Sequence, residues 1–123
     1  MGVGLSRRAV FYRAEIGRLH RIYPTVYSTT APSLLPARAR WLAAVLACRP
    51  DAYLSHRSAA ALWGIRATSR STIDVTSPGG RGRRLSGIDA HRAATLAPAD
   101  VTVVDGIPCT SVARTAVDLA ALV

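Results

Sequence analysis

Val101-Thr102-Val103-Val104-Asp105-Gly106-Ile107-Pro108-Cys109-Thr110-Ser111 reads as two short strands around an Asp-Gly turn, closed by a helix cap. A two-residue hairpin turn needs positive φ at both central residues, which Asp and Gly tolerate best. The serine hydroxyl then accepts an unpaired amide of the next helix's first turn, so a helix is predicted from Val112 to Leu122. Its apolar face is expected to carry Val112, Ala116 and Leu119. Moving toward the N-terminus, Thr72-Ile73-Asp74-Val75-Thr76 alternates with period two, as a half-buried strand does. Pro78 to Gly82 form a loop, and Ile88-Asp89-Ala90-His91 is the candidate partner strand. Three or four antiparallel strands are therefore expected.

Helices precede the strands. Leu54-Ser55 pairs a staple residue with a cap, opening a short helix from His56 to Trp63 that Gly64 ends. Ala59, Ala60 and Ala61 let that helix approach a neighbour closely, while Leu62 and Trp63 supply bulk. A further helix runs from about Ala37 to Cys48 and stops before Pro50, with Trp41, Leu42, Val45 and Leu46 as its core face. Polar, proline-bearing residues 29–36 mark the internal boundary. Helices, then strands, then a helix define an α+β fold, with a small helical and antiparallel-sheet domain over residues 37–123.

Residues 1–28 read as a partial winged helix-turn-helix. Ser6 is a helix cap, Leu5 and Val10 make a staple, and Gly17 sits where a left-handed residue would end the helix. Arg18 to Tyr23 and Thr25 to Ser28 then form a ribbon around Pro24. Arg7, Arg8, Tyr12 and Arg13 would face a major groove, and Arg18, His20 and Arg21 flanking phosphates.

The charge balance agrees with a polyanionic partner. The 123 residues carry a formal net charge of +9, with sixteen arginines and no lysine. The choice of Arg over Lys fits a GC-rich genome, so the surplus and its clustering carry the signal. Arg81, Arg83 and Arg84 form a second cluster within a loop that could extend a nucleic-acid surface. Half the residues are hydrophobic, enough for a proper core rather than a disordered basic tail. Cys48 and Cys109 lack framework spacing and read as small buried hydrophobes in a reducing cytoplasm. The apolar run Trp41 to Cys48 is far below the roughly 20 residues of a membrane span. Met1-Gly2-Val3-Gly4-Leu5-Ser6 fits a loose myristoylation pattern, but Ser6 is accounted for as a cap.

Enzyme chemistry finds little support. Ser55, His56 and Ser58 suggest a nucleophile and base, yet adjacent helical residues do not face each other and no glycine elbow surrounds the serine. Ser55 reads as a cap and His56 as a first-turn residue. A nuclease needs clustered carboxylates; Asp105 belongs to a turn, while Asp74 and Asp89 could share a strand face. No two of His20, His56, His91, Cys48 and Cys109 stand at zinc-ligand spacing, so neither metal nor other cofactor is expected. Gly79-Gly80-Arg81-Gly82-Arg83-Arg84 lacks the lysine and hydroxyl of a phosphate-binding P-loop.

Leu54-Ser55-His56-Arg57-Ser58-Ala59-Ala60-Ala61-Leu62-Trp63-Gly64 resembles the LSHxSAAxLWG signature of AbiEi-family antitoxins. Gly17 to Tyr27, Asp105-Gly106-Ile107-Pro108, Ala113-Arg114-Thr115 and Asp118-Leu119-Ala120 extend that likeness over nearly the whole chain. The resemblance implies a non-catalytic antitoxin and transcriptional regulator of a type IV toxin–antitoxin system. Such a protein binds its own operator through a winged helix and has a nucleotidyltransferase-like toxin as partner. Against that pattern the chain is expected to be shortened. Met1 falls just before the recognition helix, and Val123 falls where many actinobacterial relatives continue into a nuclease-like domain. The alternatives are an interaction remnant without DNA binding, or a remnant of a nuclease-fused relative.

Overall fold

The computed structural model describes residues 19–79 and 85–122. The expected α+β class is what it shows: a two-stranded antiparallel ribbon, a five-stranded sheet and three helices. The helix expected before Gly17 lies outside the described residues. The ribbon is β1 (His20–Tyr23) with β2 (Val26–Ser28), followed by a 3-10 turn at Pro32–Leu34 and α1 (Ala37–Ala47). Next come β3 (Tyr53–Leu54), α2 (His56–Leu62), β4 (Ile73–Pro78) and β5 (Ile88–Ala93). The chain finishes with a 3-10 turn at Pro98–Asp100, β6 (Val101–Val104), β7 (Ile107–Thr110) and α3 (Val112–Ala120).

The Asp-Gly reading holds in detail. Val104 pairs with Ile107 across a two-residue turn, and Asp105 and Gly106 have φ of 51° and 77°. Both values are those of a type I′ turn, whose twist matches the flanking strands. Ser111 Oγ accepts the Arg114 amide at 3.2 Å and caps α3.

The sheet corrects two expectations. It is mixed rather than antiparallel, in the order β5-β4-β3-β7-β6, with β4–β5 and β3–β7 parallel. Residues 79–87 connect β4 to β5. Nine residues reach about 30 Å when extended, more than the roughly 20 Å of a six-residue strand. The connection can therefore return the chain to the start of β4 instead of reversing it in a hairpin. The second correction is β3, where the Leu54-Ser55 pattern predicts only a helix start. Two residues are too few to display a period, yet Leu54 sits at the centre, paired with Val75 and Cys109.

Strand alternation gives the sheet two unlike faces. Ile73, Val75 and Ile88 turn toward α1, where Leu54, Ile107 and Cys109 join Ala44 and Val45 in one apolar cluster. Ala43 and Ala47 of α1 also receive Val26 of the ribbon, packed with Ile22 and Tyr23. Small residues on α1 let sheet and ribbon approach it closely. Its bulky members Trp41, Leu42 and Leu46, expected as the core face, are only partly buried and pack around the margin.

The opposite face, Asp74, Thr76, Asp89 and His91, turns toward α2 and α3. Here α3 reverses its expected orientation. Of the expected face, Val112 is 46% exposed and Ala116 is also outside, only Leu119 being partly buried; Val117 is 64% exposed, while Thr115 and Asp118 are buried. The helix is amphipathic as expected, but its polar side meets a polar sheet face.

Candidate functional site

The layer between the sheet and helices α2 and α3 is lined by side chains that would ordinarily face water. Ser55, His56, Ser58, Asp74, Thr76, Thr110, Thr115 and Asp118 are all buried. Burying such groups is costly unless each finds a partner, so the hydrogen bonds define the site. Thr76 Oγ1 donates to Ser55 Oγ at 2.6 Å, and Ser55 Oγ is bonded to His56 Nδ1 at 2.9 Å. Ser58 Oγ accepts the Asp74 amide at 2.9 Å, tying α2 to β4. Thr115 Oγ1 donates to the Ser111 carbonyl at 2.7 Å and leaves its oxygen to Thr110 Oγ1, also 2.7 Å away.

Ser55 therefore does not act as the expected cap; its side chain makes no capping bond and serves the buried chain of hydroxyls. His56, expected as an ordinary first-turn residue, has φ of 50°. That left-handed backbone is uncommon for a residue with a side chain, although His, Asn and Asp adopt it more readily than most. It turns the imidazole back under the sheet, where it stacks on His91 with ring centroids 3.8 Å apart and planes 18° apart.

Two carboxylates flank the stacked rings. Asp74, only 1% exposed, takes His91 Nε2 on Oδ1 at 2.9 Å, and Asp118 takes Arg114 Nε on Oδ1 at 3.0 Å. In both, Oδ2 is buried with no hydrogen-bond partner among the described residues. Arg70 bonds Asp89 Oδ2 at 2.7 Å and stands 3.6 Å from Asp74 Oδ1. Burial pushes the His56 pKa below the usual imidazole value, helped by repulsion from His91 and Arg114 and opposed by Asp118 and Asp74. For Asp74, burial raises the carboxyl, but the His91 hydrogen bond and the charges of His91, Arg70 and His56 outweigh it and hold it low. It stays ionised where an isolated buried carboxyl would not.

Asp74, Asp89 and His91 bring one ligand-type atom each within 4.8 Å of one another. Linear spacing could not show this. Two members come from β5 and one from β4, and only the parallel register Asp74↔Asp89 and Thr76↔His91 places them together. The one usable signal was the alternation around Asp74 and Asp89, which put both on a common strand face. The hydroxyls of Ser55, Thr76, Thr110 and Thr115 carried no signal, since such residues are common at caps and in strands.

The DNA-contact candidates divide. His20 and Arg21 lie on β1, opposite Ser28 and Tyr27, with Arg21 exposed and its guanidinium donating to the Pro24 carbonyl at 3.2 Å. Arg7, Arg8, Tyr12, Arg13 and Arg18 lie outside the described residues, as do Arg81, Arg83 and Arg84. Of the thiols, Cys109 is fully buried and pushed up to about 11 by burial, against a weaker opposing bond from the Val104 backbone; Cys48 is half-buried at the core margin. Among the described residues no helix is long and apolar enough to cross a membrane. No protein-family model matches the chain, and no curated protein matches it.

Proposed function

We propose that the protein is a non-catalytic DNA-binding regulator of the AbiEi antitoxin type, acting on its own operator and on a nucleotidyltransferase-like toxin. The observation that carries the reading is the β1–β2 ribbon. Its apolar residues Ile22, Tyr23 and Val26 are fixed on α1, while Arg21 projects outward on a firm base. That combination suits a wing, because phosphate contacts set a protein's register and orientation on the duplex. The charge distribution supports the same reading. The described residues hold nine arginines against six aspartates, a surplus of three, and the other six net positive charges are in residues 1–18 and 80–84.

A protein partner is supported by α3, whose outward Val112, Ala113, Ala116 and Val117 leave an apolar face uncovered. Exposed apolar patches of this kind mark protein contacts more often than isolated surface valines do.

The test is a gel shift of the full chain on its own upstream region at two salt concentrations, against random DNA of equal length. Preferential binding to the upstream region is expected, with Arg18→Ala and Arg21→Ala each lowering the salt slope by about 0.9. Equal binding to random DNA, or an unchanged slope in both variants, removes the operator reading.

A further inference from the structure

We propose that Asp74, Asp89 and His91 form a binding site for a divalent cation of the manganese or zinc class, with Arg70 giving way to it. The donor set carries the argument first. Two carboxylates and one imidazole, drawn from adjacent strands in fixed register, combine the hard oxygens that suit Mn2+ with the nitrogen that suits Zn2+. His91 Nε2 and Asp74 Oδ1 are 2.9 Å apart. Two ligands about 2.1 Å from an octahedral ion stand about 3 Å apart at a right angle, so this hydrogen-bonded pair needs little movement to hold an ion once its shared proton is released.

The second observation is the unpaired oxygen. The Asp74 side chain is almost wholly enclosed, and its Oδ2 lacks any hydrogen-bond partner among the described residues. Oδ2 belongs to the same carboxylate as Oδ1, the oxygen that meets His91 and stands near Arg70. Leaving a buried carboxylate oxygen unpaired is costly, and an ion bound beside Oδ1 and Oδ2 would relieve that cost. The supporting contacts also suit a ligand set. His56 stacks on His91 and fixes its ring plane, and Ser58 holds the Asp74 backbone. Groups of this type behind metal ligands set their orientation and affinity.

Arg70 is the occupant that must leave. It grips Asp89 closely but reaches Asp74 only at 3.6 Å, and its side chain is 32% exposed on the segment between α2 and β4. Asp89 is half exposed, which leaves a route for an ion from solvent. The site lies across the sheet from α1 and the ribbon, so the proposal stands independently of DNA binding.

The experiment is calorimetric titration of the full chain with Mn2+ and, separately, Zn2+, with the Mn2+ electron paramagnetic resonance signal as a second readout. Wild type should take up one equivalent of at least one ion. Asp89→Asn, at a half-exposed position, should weaken that uptake by at least about tenfold while circular dichroism stays unchanged. Arg70→Ala should bind as tightly as wild type or more tightly, since it removes a competing cation. Absence of stoichiometric uptake of both ions at millimolar concentration overturns the proposal. So does Asp89→Asn binding as tightly as wild type, or Arg70→Ala binding more weakly.

Discussion

The two faces of the five-stranded sheet are made by the same strands, yet they are built from opposite chemistries. Toward α1, Leu54, Val75, Ile107 and Cys109 exclude water with hydrocarbon and sulfur. Toward α2 and α3, Thr76, Asp74, Thr110 and His91 do so with hydroxyls, carboxylates and imidazoles joined by hydrogen bonds. The first face accounts for the existence of the fold, because each apolar side chain buried contributes about 1.5–3 kcal/mol. The second contributes little net stability for the cost of desolvating its groups, so stability alone does not account for it. A protein that keeps two carboxylates and a histidine pair under its helices retains chemistry there that an apolar core would lack.

The sharpest way to break the comparison is to cut one group from each face. Leu54→Ala, at the apolar centre, should cost about 2–5 kcal/mol in urea unfolding, and a loss below 1 kcal/mol would mean that this face is not the principal core. Thr115→Val keeps the volume but removes the hydroxyl that bonds Ser111 and Thr110, and should cost about 1–3 kcal/mol by the same measurement. Ser111→Ala tests the cap joining the hairpin to α3; a loss of about 0.5–2 kcal/mol is expected from the thermal midpoint. Val117→Arg should be the mildest, within about 0.5 kcal/mol of wild type, because its side chain faces solvent. A larger loss there would show that the outer side of α3 is covered in solution.

Legibility in the sequence followed the same division. The Asp105-Gly106 hairpin, the Ser111 cap and the ribbon around Pro24 were readable because local backbone chemistry decides them. The apolar face was readable in part, since Ile73 and Val75 alternate and α1 repeats small and apolar residues. What stayed hidden depends on pairing between distant segments. Parallel register sets Asp74 beside Asp89, and the left-handed backbone at His56 was unmarked by any glycine or asparagine. Reading α3 from its hydrophobic side assumed that helices bury apolar residues. It failed because the sheet face opposite Thr115 and Asp118 is itself polar.

The most direct test of that division is the pH dependence of unfolding in wild type and in His56→Asn, a replacement that tolerates the left-handed backbone. The folded-state pKa of His56 lies below its unfolded value near 6.5, so its contribution is present above about pH 6.5 and is lost as pH falls through that value toward the folded pKa. Wild type should therefore lose stability in urea between about pH 7.5 and pH 5, and His56→Asn should lose distinctly less over the same range. Equal slopes for the two proteins, or a wild type that gains stability on acidification, would contradict a buried charge-sensitive layer beneath α2 and α3.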